Sequence, residues 1–232
     1  NYRVINTDIR MVLDGFPEVE SHSYSKSFLF MAFTSSNGTF NYNNNEISIE
    51  TLTGEDSFDD VLGIKLLEGR WFDQSDNVYN QIPVVINRNT EKNLFQGEPG
   101  MGKVYADNYD ETKREFRVVG IIDDFRNTGQ FSKSKNVMFE RINLNAETEE
   151  IEFLKSPMLK RLLIKVHPGT GAAFEQEMMQ QLSSVAKGFG LKIKTAEAAK
   201  KSADQSMMIL PLILLIIGGF LVLNVALGLF GI

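Results

Sequence analysis

The chain has 232 residues, carries a net charge of −6 at pH 7 and contains no cysteine. The acidic balance argues against a nucleic-acid partner or an anionic lipid surface, because both are bound through clustered Lys and Arg that neutralise phosphates. The absence of cysteine excludes disulfides and cysteine-based zinc sites, and it is compatible with an oxidising compartment.

The first half of the chain predicts one amphipathic helix followed by shorter elements. Apolar residues recur on one helical face from Tyr2 to Asp14, and Gly15 then ends the helix. The aromatic-rich run Phe28–Thr34 is typical of a buried strand, and Glu46–Leu52 alternates as a second strand. The middle section predicts, in order, helix Asp56–Leu62, strand Ile82–Asn87, helix Asn89–Phe95 and strand Phe116–Ile122.

Longer strands and a longer helix are predicted in the second half of the chain. Strands are expected at Met138–Leu144 and Arg161–Val166, with the charged loop Asn145–Lys155 between them. Thr170 is predicted to cap a helix whose apolar residues recur at helical spacing, and Leu191–Thr195 alternates as a last strand.

This order of elements predicts an α+β fold with two subdomains. Residues 1–52 and 136–206 each offer a long helix with adjacent strands, so we expect them to form one α+β subdomain, which the uncharged C-terminal run described next would place near a membrane. Residues 53–135 are expected to form an inserted, β-rich subdomain.

The last stretch, 207–232, contains no charged residue and is longer than the roughly 20 apolar residues needed to cross a membrane. It is predicted to be a transmembrane helix, since a buried core helix is usually shorter and has a polar side. The run is still apolar at Ile232, which leads us to expect a piece of a longer protein. Lys200 and Lys201, just before the span, would by themselves favour a cytoplasmic domain.

Three sequence features could indicate a binding or catalytic site, but each has a simpler structural interpretation. Gly97–Lys103 matches the GxxxxGK core of a phosphate-binding loop, yet Val104 stands where that loop needs Ser or Thr. His22 and His167 are the two histidines, too few for a histidine-rich metal site. Asp123 and Asp124 are predicted to mark a solvated turn. No catalytic, cofactor-binding or metal-binding residue is predicted, and we do not expect an enzyme.

The most specific signal is an ordered set of short phrases in the middle of the chain. Its residues are Phe58, Gly63, Gly69, Arg70, Phe72, Asn87, Gly102, Lys103, Gly120, Asp124 and Phe125. In order and spacing this motif resembles the periplasmic core domain of MacB/FtsX-like ABC transporter permeases. We interpret its residues as structural: Gly69 and Gly120 suit tight turns or close backbone approach, and Arg70 pairs with a nearby acid.

The resemblance implies that residues 1–206 lie on the periplasmic side of the inner membrane and that 207–232 is the second membrane span, cut short. It further implies a homodimeric or paired permease, a cytoplasmic ATP-binding subunit or domain, and a periplasmic adaptor or outer-membrane partner. Two functions stay open. The domain either couples ATP hydrolysis to export or release of a substrate, or it is a regulatory ectodomain that activates a partner such as a cell-wall hydrolase. An exposed aromatic or Met-rich patch on the insert would favour the second function, whereas a surface that pairs with itself or with an outer tunnel protein would favour export.

Overall fold

The computed structural model describes residues 2–27, 29, 36–107, 114–127, 133–142, 161–229 and 231. Five α-helices occur in the described residues: α1 (Tyr2–Asp14), α2 (Phe58–Leu62), α3 (Arg88–Leu94), α4 (Ala172–Val185) and α5 (Ala196–Leu229). The strands are β1 (Val19–Ser25), β2 (Asn37–Tyr42), β3 (Asn45–Gly54), β4 (Leu66–Gly69), β5 (Ile82–Asn87), β6 (Val104–Asp107), β7 (Glu115–Ile122), β8 (Val137–Arg141) and β9 (Arg161–Val166). A 3-10 helix covers Gln74–Val78.

The larger of the two sheets closes on itself. Its seven strands hydrogen-bond in the order β4-β7-β5-β8-β3-β2-β6, and β6 pairs with β7 as well as with β2. Six strands therefore form a ring, and β4 is added along β7 outside it. The pairs β3–β8 and β5–β7 are parallel, and the other pairs are antiparallel. A closed ring leaves few strand edges open to unwanted pairing.

The interior of this ring is filled by apolar and aromatic side chains. Strand residues alternate between the two faces of a sheet, so Val84 and Ile86 of β5 both point inward, and both are fully buried. Phe40 meets Phe116 edge to face, with ring centroids 5.4 Å apart. Phe95, which follows α3, packs into the same core. The helix therefore contributes to the interior that the strands enclose.

The outer face of β8 supports a second aromatic cluster around Phe139. The ring centroid of Phe139 lies 5.1 Å from that of Phe125, 5.5 Å from Trp71 and 6.0 Å from Phe58. Met138, the neighbouring residue, belongs to the ring interior. Strand β8 is thus buried on both faces at its start, which explains why Val137, Met138 and Phe139 are three consecutive apolar residues.

Strands β1 and β9 form a separate antiparallel sheet, with Ser25 opposite Arg161. Helices α1 and α4 cover it, and their contact is a buried cluster of Leu13, Phe16, Met178 and Leu182. The rings of Phe16 and Phe174 meet edge to face at 5.2 Å. The long helices predicted at the two ends of the chain therefore pack together.

Helix α5 belongs to a second compact unit. Within the described residues it is the one helix that is long and apolar enough to cross a membrane. Its apolar segment is not buried against other parts of the chain. Residues 207–229 of the predicted span belong to a longer helix that begins at Ala196. The predicted α+β class with a C-terminal helix that could span a membrane is confirmed.

Two predicted features are wrong. Residues 191–195 form no strand, and Ile193 instead packs beside the cluster shared by α1 and α4; alternation alone does not make a strand without a partner to complete its hydrogen bonds. Thr170 does not cap α4, because its hydroxyl donates to the His167 carbonyl at 2.7 Å and Gly171 takes the N-cap position. The predicted strand at residues 28–34, apart from Leu29, and the loop at 145–155 lie outside the described residues.

The predicted insert, 53–135, shares its sheet with neighbouring segments. Strands β2, β3 and β8 belong to the same ring as β5, β6 and β7, so the hydrogen bonding extends beyond the insert on both sides. The subdomain boundaries at residues 53 and 135 stay a prediction.

Candidate functional site: the seam between the two sheets

The GxxxxGK segment is a turn in the wall of the ring. Gly102 donates its N–H to the Val118 carbonyl at 3.0 Å, and the chain then continues as β6. The Lys103 ammonium lies 5.0 Å from the ring centroids of both Tyr42 and Phe95. A phosphate-binding loop leads into a helix and keeps its lysine for the phosphate, so this segment does not have the required context.

A more informative site lies where β1 runs past the end of β3, which we name the seam and define as Arg10, Ser25, Ser27, Thr53 and Glu55. Ser25 donates its hydroxyl to the Thr53 carbonyl at 2.6 Å. Thr53 donates its N–H to the Ser27 hydroxyl at 2.7 Å. Side-chain hydrogen bonds therefore join β1 to the end of β3.

Glu55 is the charged centre of the seam. One carboxylate oxygen accepts the Tyr24 N–H at 2.6 Å, and the other pairs with the Arg10 guanidinium. The Arg10 guanidinium also stacks 5.1 Å from the Tyr24 ring centroid. Burial raises the pKa of Tyr24 to about 12, so its phenol stays protonated. Glu55 therefore ties α1 and β1 to the segment that leaves β3.

The seam continues into the ring through the next residue, Asp56. Arg141 of β8 makes a two-point ion pair with Asp56, with N–O distances of 2.6 and 2.9 Å. The same guanidinium donates to the Asn77 side chain. One continuous set of polar contacts thus leads from α1 to the 3-10 helix.

Arg70 of the sequence motif belongs to the loop at the far end of this path. It makes a two-point ion pair with Asp76, at 2.8 and 2.6 Å, and Arg117 reaches the same carboxylate at 3.2 Å. The Asp76 side chain is fully buried. Burial would raise the pKa of Asp76, but hydrogen bonds from Arg70 and the Asp73 N–H outweigh it and hold the pKa below its ordinary value.

Gly69 and Gly120 face each other across the β4–β7 pair. A Cβ on Gly120 would lie 2.3 Å from the Arg70 carbonyl oxygen, and one on Gly69 would lie 2.4 Å from the Val119 carbonyl oxygen. Gly69 also has a positive φ of 75°. Both positions therefore require glycine for close backbone approach.

The remaining motif residues have structural contacts. The buried side-chain oxygen of Asn87 accepts the N–H groups of Thr90 and Val137, each at 3.0 Å, so it joins β5, α3 and β8. Gly63 ends α2 in the left-handed conformation. Asp124 accepts a hydrogen bond from Ser134. The motif's aromatic residues Phe58, Phe72 and Phe125 belong to the cluster beneath Trp71 and Phe139.

The sequence motif did not include any seam residue. A signal was nevertheless present, because serine occupies every second position from Ser21 to Ser27, and Ser23, Ser25 and Ser27 are all buried. Repeated small hydroxyl residues on one face of a strand indicate a buried polar contact, since buried hydroxyls need hydrogen-bond partners.

A family model described as MacB-like periplasmic core domain matches residues 4–181. The chain belongs to this family. Its MacB relatives include the macrolide export ATP-binding/permease protein MacB of Neisseria gonorrhoeae, which is 30% identical over 112 residues. That match covers 48% of this chain and 16% of the relative, so the chain spans only a small part of the length of such a protein.

Solved structures of MacB-like domains have the same fold. The periplasmic region of MacB from Actinobacillus actinomycetemcomitans superposes with a TM-score of 0.54 at 20% identity, over 78% of this chain and 73% of that one. The extracellular domain of the ABC-type transporter YknZ from Gram-positive bacteria gives 0.51 at 14% identity, over 77% and 80%. At such identities the likeness concerns the fold alone.

Within this MacB-like domain, the seam should be held together by Glu55. Replacing Glu55 with alanine is expected to speed hydrogen exchange of the Tyr24 amide about tenfold, because that N–H loses its acceptor at a cost of about 1 to 2 kcal/mol. Amide exchange followed by NMR would measure this. Asp123→Ala removes an exposed carboxylate elsewhere and serves as the control; equal exchange in both variants would show that Glu55 does not hold the seam.

Proposed function

We propose that this MacB-like domain is the periplasmic part of an ABC transporter permease subunit of the inner membrane. Residues 1–206 lie outside the membrane, and the apolar part of α5 is the second span. The domain passes the conformational change driven by cytoplasmic ATP hydrolysis to a substrate that is exported or released outside. No residue of this chain is assigned a chemical step.

The observation that carries this proposal is the continuity of α5. The segment before the span and the span itself form one helix from Ala196 to Leu229. Residues 196–206 contain neither Gly nor Pro, and four of them are Ala, the best helix former. A stiff connection can transmit movement of a membrane helix, whereas a flexible linker would absorb it.

The connector, residues 196–206, can be made more flexible by two glycine substitutions, and a control variant can lose the same two charges without becoming flexible. The double variant Lys200→Gly/Lys201→Gly introduces two glycines, each costing about 1 kcal/mol of helix stability relative to alanine. In the assembled transporter we expect substrate transport to fall about fivefold or more while ATP hydrolysis continues. The variant Lys200→Ala/Lys201→Ala loses the same two charges but keeps the helix, and it should transport nearly as wild type. Equal transport by both variants would contradict coupling through this connector.

The proposed partners are a cytoplasmic ATP-binding subunit or domain, a second permease subunit, and a periplasmic adaptor or outer-membrane protein. Affinity purification of the full-length protein from gently solubilised membranes, followed by mass spectrometry and an ATPase assay, tests them. Recovery of an ATP-binding subunit that hydrolyses ATP, and continues to do so in the connector variants, supports the proposal. Recovery of a hydrolase or scaffold without ATPase activity would overturn it.

A specific surface favours the second candidate function, a regulatory ectodomain that binds an extracytoplasmic enzyme. Val78 and Tyr79, just after the buried Asp76, have exposed fractions of 80% and 49%. The Arg117 guanidinium lies 3.6 Å from the Tyr79 ring centroid and holds it in place. Loss of partner binding, with transport unchanged, in a Val78→Ser/Tyr79→Ser variant would favour this second function.

A further inference from the structure

A groove lies between α1 and α4, beside the buried cluster through which the two helices pack. Its floor and walls come from α1 and the turn after it, and from one stripe of α4 formed by Glu177, Gln181 and Val185. These three residues recur at every fourth position, so the wall is about 12 Å long, or two helical turns. The groove encloses about 540 Å³.

The floor of this groove is apolar and partly open to solvent. Met11, Val12 and Phe16 contribute to it from one side and Val185 from the other. The exposed fraction of Met11 is 60%, a large value for a long apolar side chain. Gly15 also lines the groove and carries no side chain, which leaves room for a partner.

The rim of the groove is acidic. Asp8 and Glu18 lie on the α1 side and Glu177 on the α4 side, and none of the described residues lining the groove is Lys, Arg or His. The Gln181 amide donates to Glu177 at 3.2 Å, and this donor is neutral, so it does not cancel the charge of the carboxylate. Three carboxylates around an apolar floor attract a ligand that combines positive charge with an apolar stripe.

We propose that the α1–α4 groove binds a basic amphipathic helix of a partner protein. The groove is open along its length. The residues of its α4 wall recur at helical spacing, so the side-chain ridges of a third helix can pack against them. Leucine-type side chains on that helix would cover Met11 and Val12, while Lys or Arg on its flanks would meet Asp8 and Glu177. A contact of two turns is small, so the complex is expected to be weak and transient.

The test uses the full chain in nanodiscs of phosphatidylcholine, which do not attract cationic peptides by charge. The probe is a fluorescein-labelled peptide of leucine and lysine, about 14 residues long and patterned as an amphipathic helix. Binding is followed by fluorescence anisotropy. The variant Asp8→Asn/Glu18→Gln/Glu177→Gln is expected to weaken binding about tenfold.

A matched triple variant separates the groove from the net charge of the chain. Glu115→Gln/Asp123→Asn/Glu197→Gln removes the same charge from exposed positions outside the groove and should change the affinity less than about twofold. A second variant, Gly15→Leu, fills the groove without altering charge. A Cβ at this position would meet no atom closer than 3.4 Å, so the variant should fold, and it should bind about tenfold more weakly.

Three outcomes would overturn the proposal. Equal weakening by the two charge variants would show general electrostatic attraction, and normal binding by Gly15→Leu would place the peptide elsewhere. Binding of the small amine procaine, with the same dependence on the three carboxylates but without peptide binding, would make the groove a small-molecule site. None of these outcomes involves ATP hydrolysis, so failure here leaves the proposed transporter function untouched.

Discussion

Replacing Gly120 with alanine is expected to lower the free energy of unfolding by about 3 kcal/mol. The added Cβ would lie 2.3 Å from the Arg70 carbonyl oxygen and 2.9 Å from a methyl carbon of Leu66. The first of these neighbours is backbone in the pairing region of β4 and β7, so it cannot move without breaking the hydrogen bonds of that pair. The clash should therefore cost more than an ordinary surface substitution.

Urea denaturation of the chain in detergent, followed by the fluorescence of Trp71, measures this effect. Trp71 is the single tryptophan and lies close to the affected strand pair in sequence. Gly190→Ala is the control, because its added Cβ would meet nothing within 4 Å, and it should stay within about 0.5 kcal/mol of wild type. Equal stability of both variants would show that β4 can shift to accommodate a side chain.

Replacing Asp76 with asparagine is expected to cost about 2 kcal/mol of stability. The substitution keeps the shape of the side chain but removes the charge that Arg70 and Arg117 share. Arg70 is 43% exposed and Arg117 is 21% exposed, so water compensates part of the loss and the cost stays below that of a fully buried pair. Asp123→Asn is the matched control, since it makes the same change at an exposed position and should stay within about 0.5 kcal/mol of wild type.

The contribution of Asp76 should also depend on pH. Its pKa is lower in the folded protein than in the unfolded chain, so the unfolded state binds the proton more readily. The stabilisation is therefore fully present above the unfolded pKa of about 4 and is lost as the pH falls through the lower folded value. The stability difference between wild type and Asp76→Asn should be constant from neutral pH to about pH 5 and shrink in stronger acid. A difference that grew on acidification would contradict the assigned charge pair.

Elements with a regular apolar spacing were predicted from the sequence. Helix α1 and strands β5, β7 and β9 were located in this way; β5 and β7 are buried over most of their length, whereas β9 is mostly half-buried. Strands β1, β2, β4 and β6 were not predicted. Val19–Ser25 is a run of mostly polar residues, and Leu66–Gly69 and Val104–Asp107 have only four residues each, too few to show a period.

The candidate site was harder to predict than the fold. Arg70 was expected to pair with an acid, and its partner Asp76 lies six positions away. Glu55 pairs with a residue 45 positions distant, and Arg141 with one 85 positions distant. Long-range ion pairs such as those of Glu55 and Arg141 leave no local pattern in the sequence. The packing of strands that are far apart in the chain determines which side chains meet.

The sequence by itself determined the uncharged C-terminal run, the α+β composition and the ordered motif from Phe58 to Phe125 that marks the family. These depend on local hydrophobicity and on glycine positions, which a single chain displays directly. Only the tertiary structure decided that six strands close into a ring, that Glu55 joins the two sheets and that an acidic groove lies between α1 and α4. Each of these requires segments distant in sequence to meet, and hydrogen-bond register and side-chain geometry exist only once they have done so.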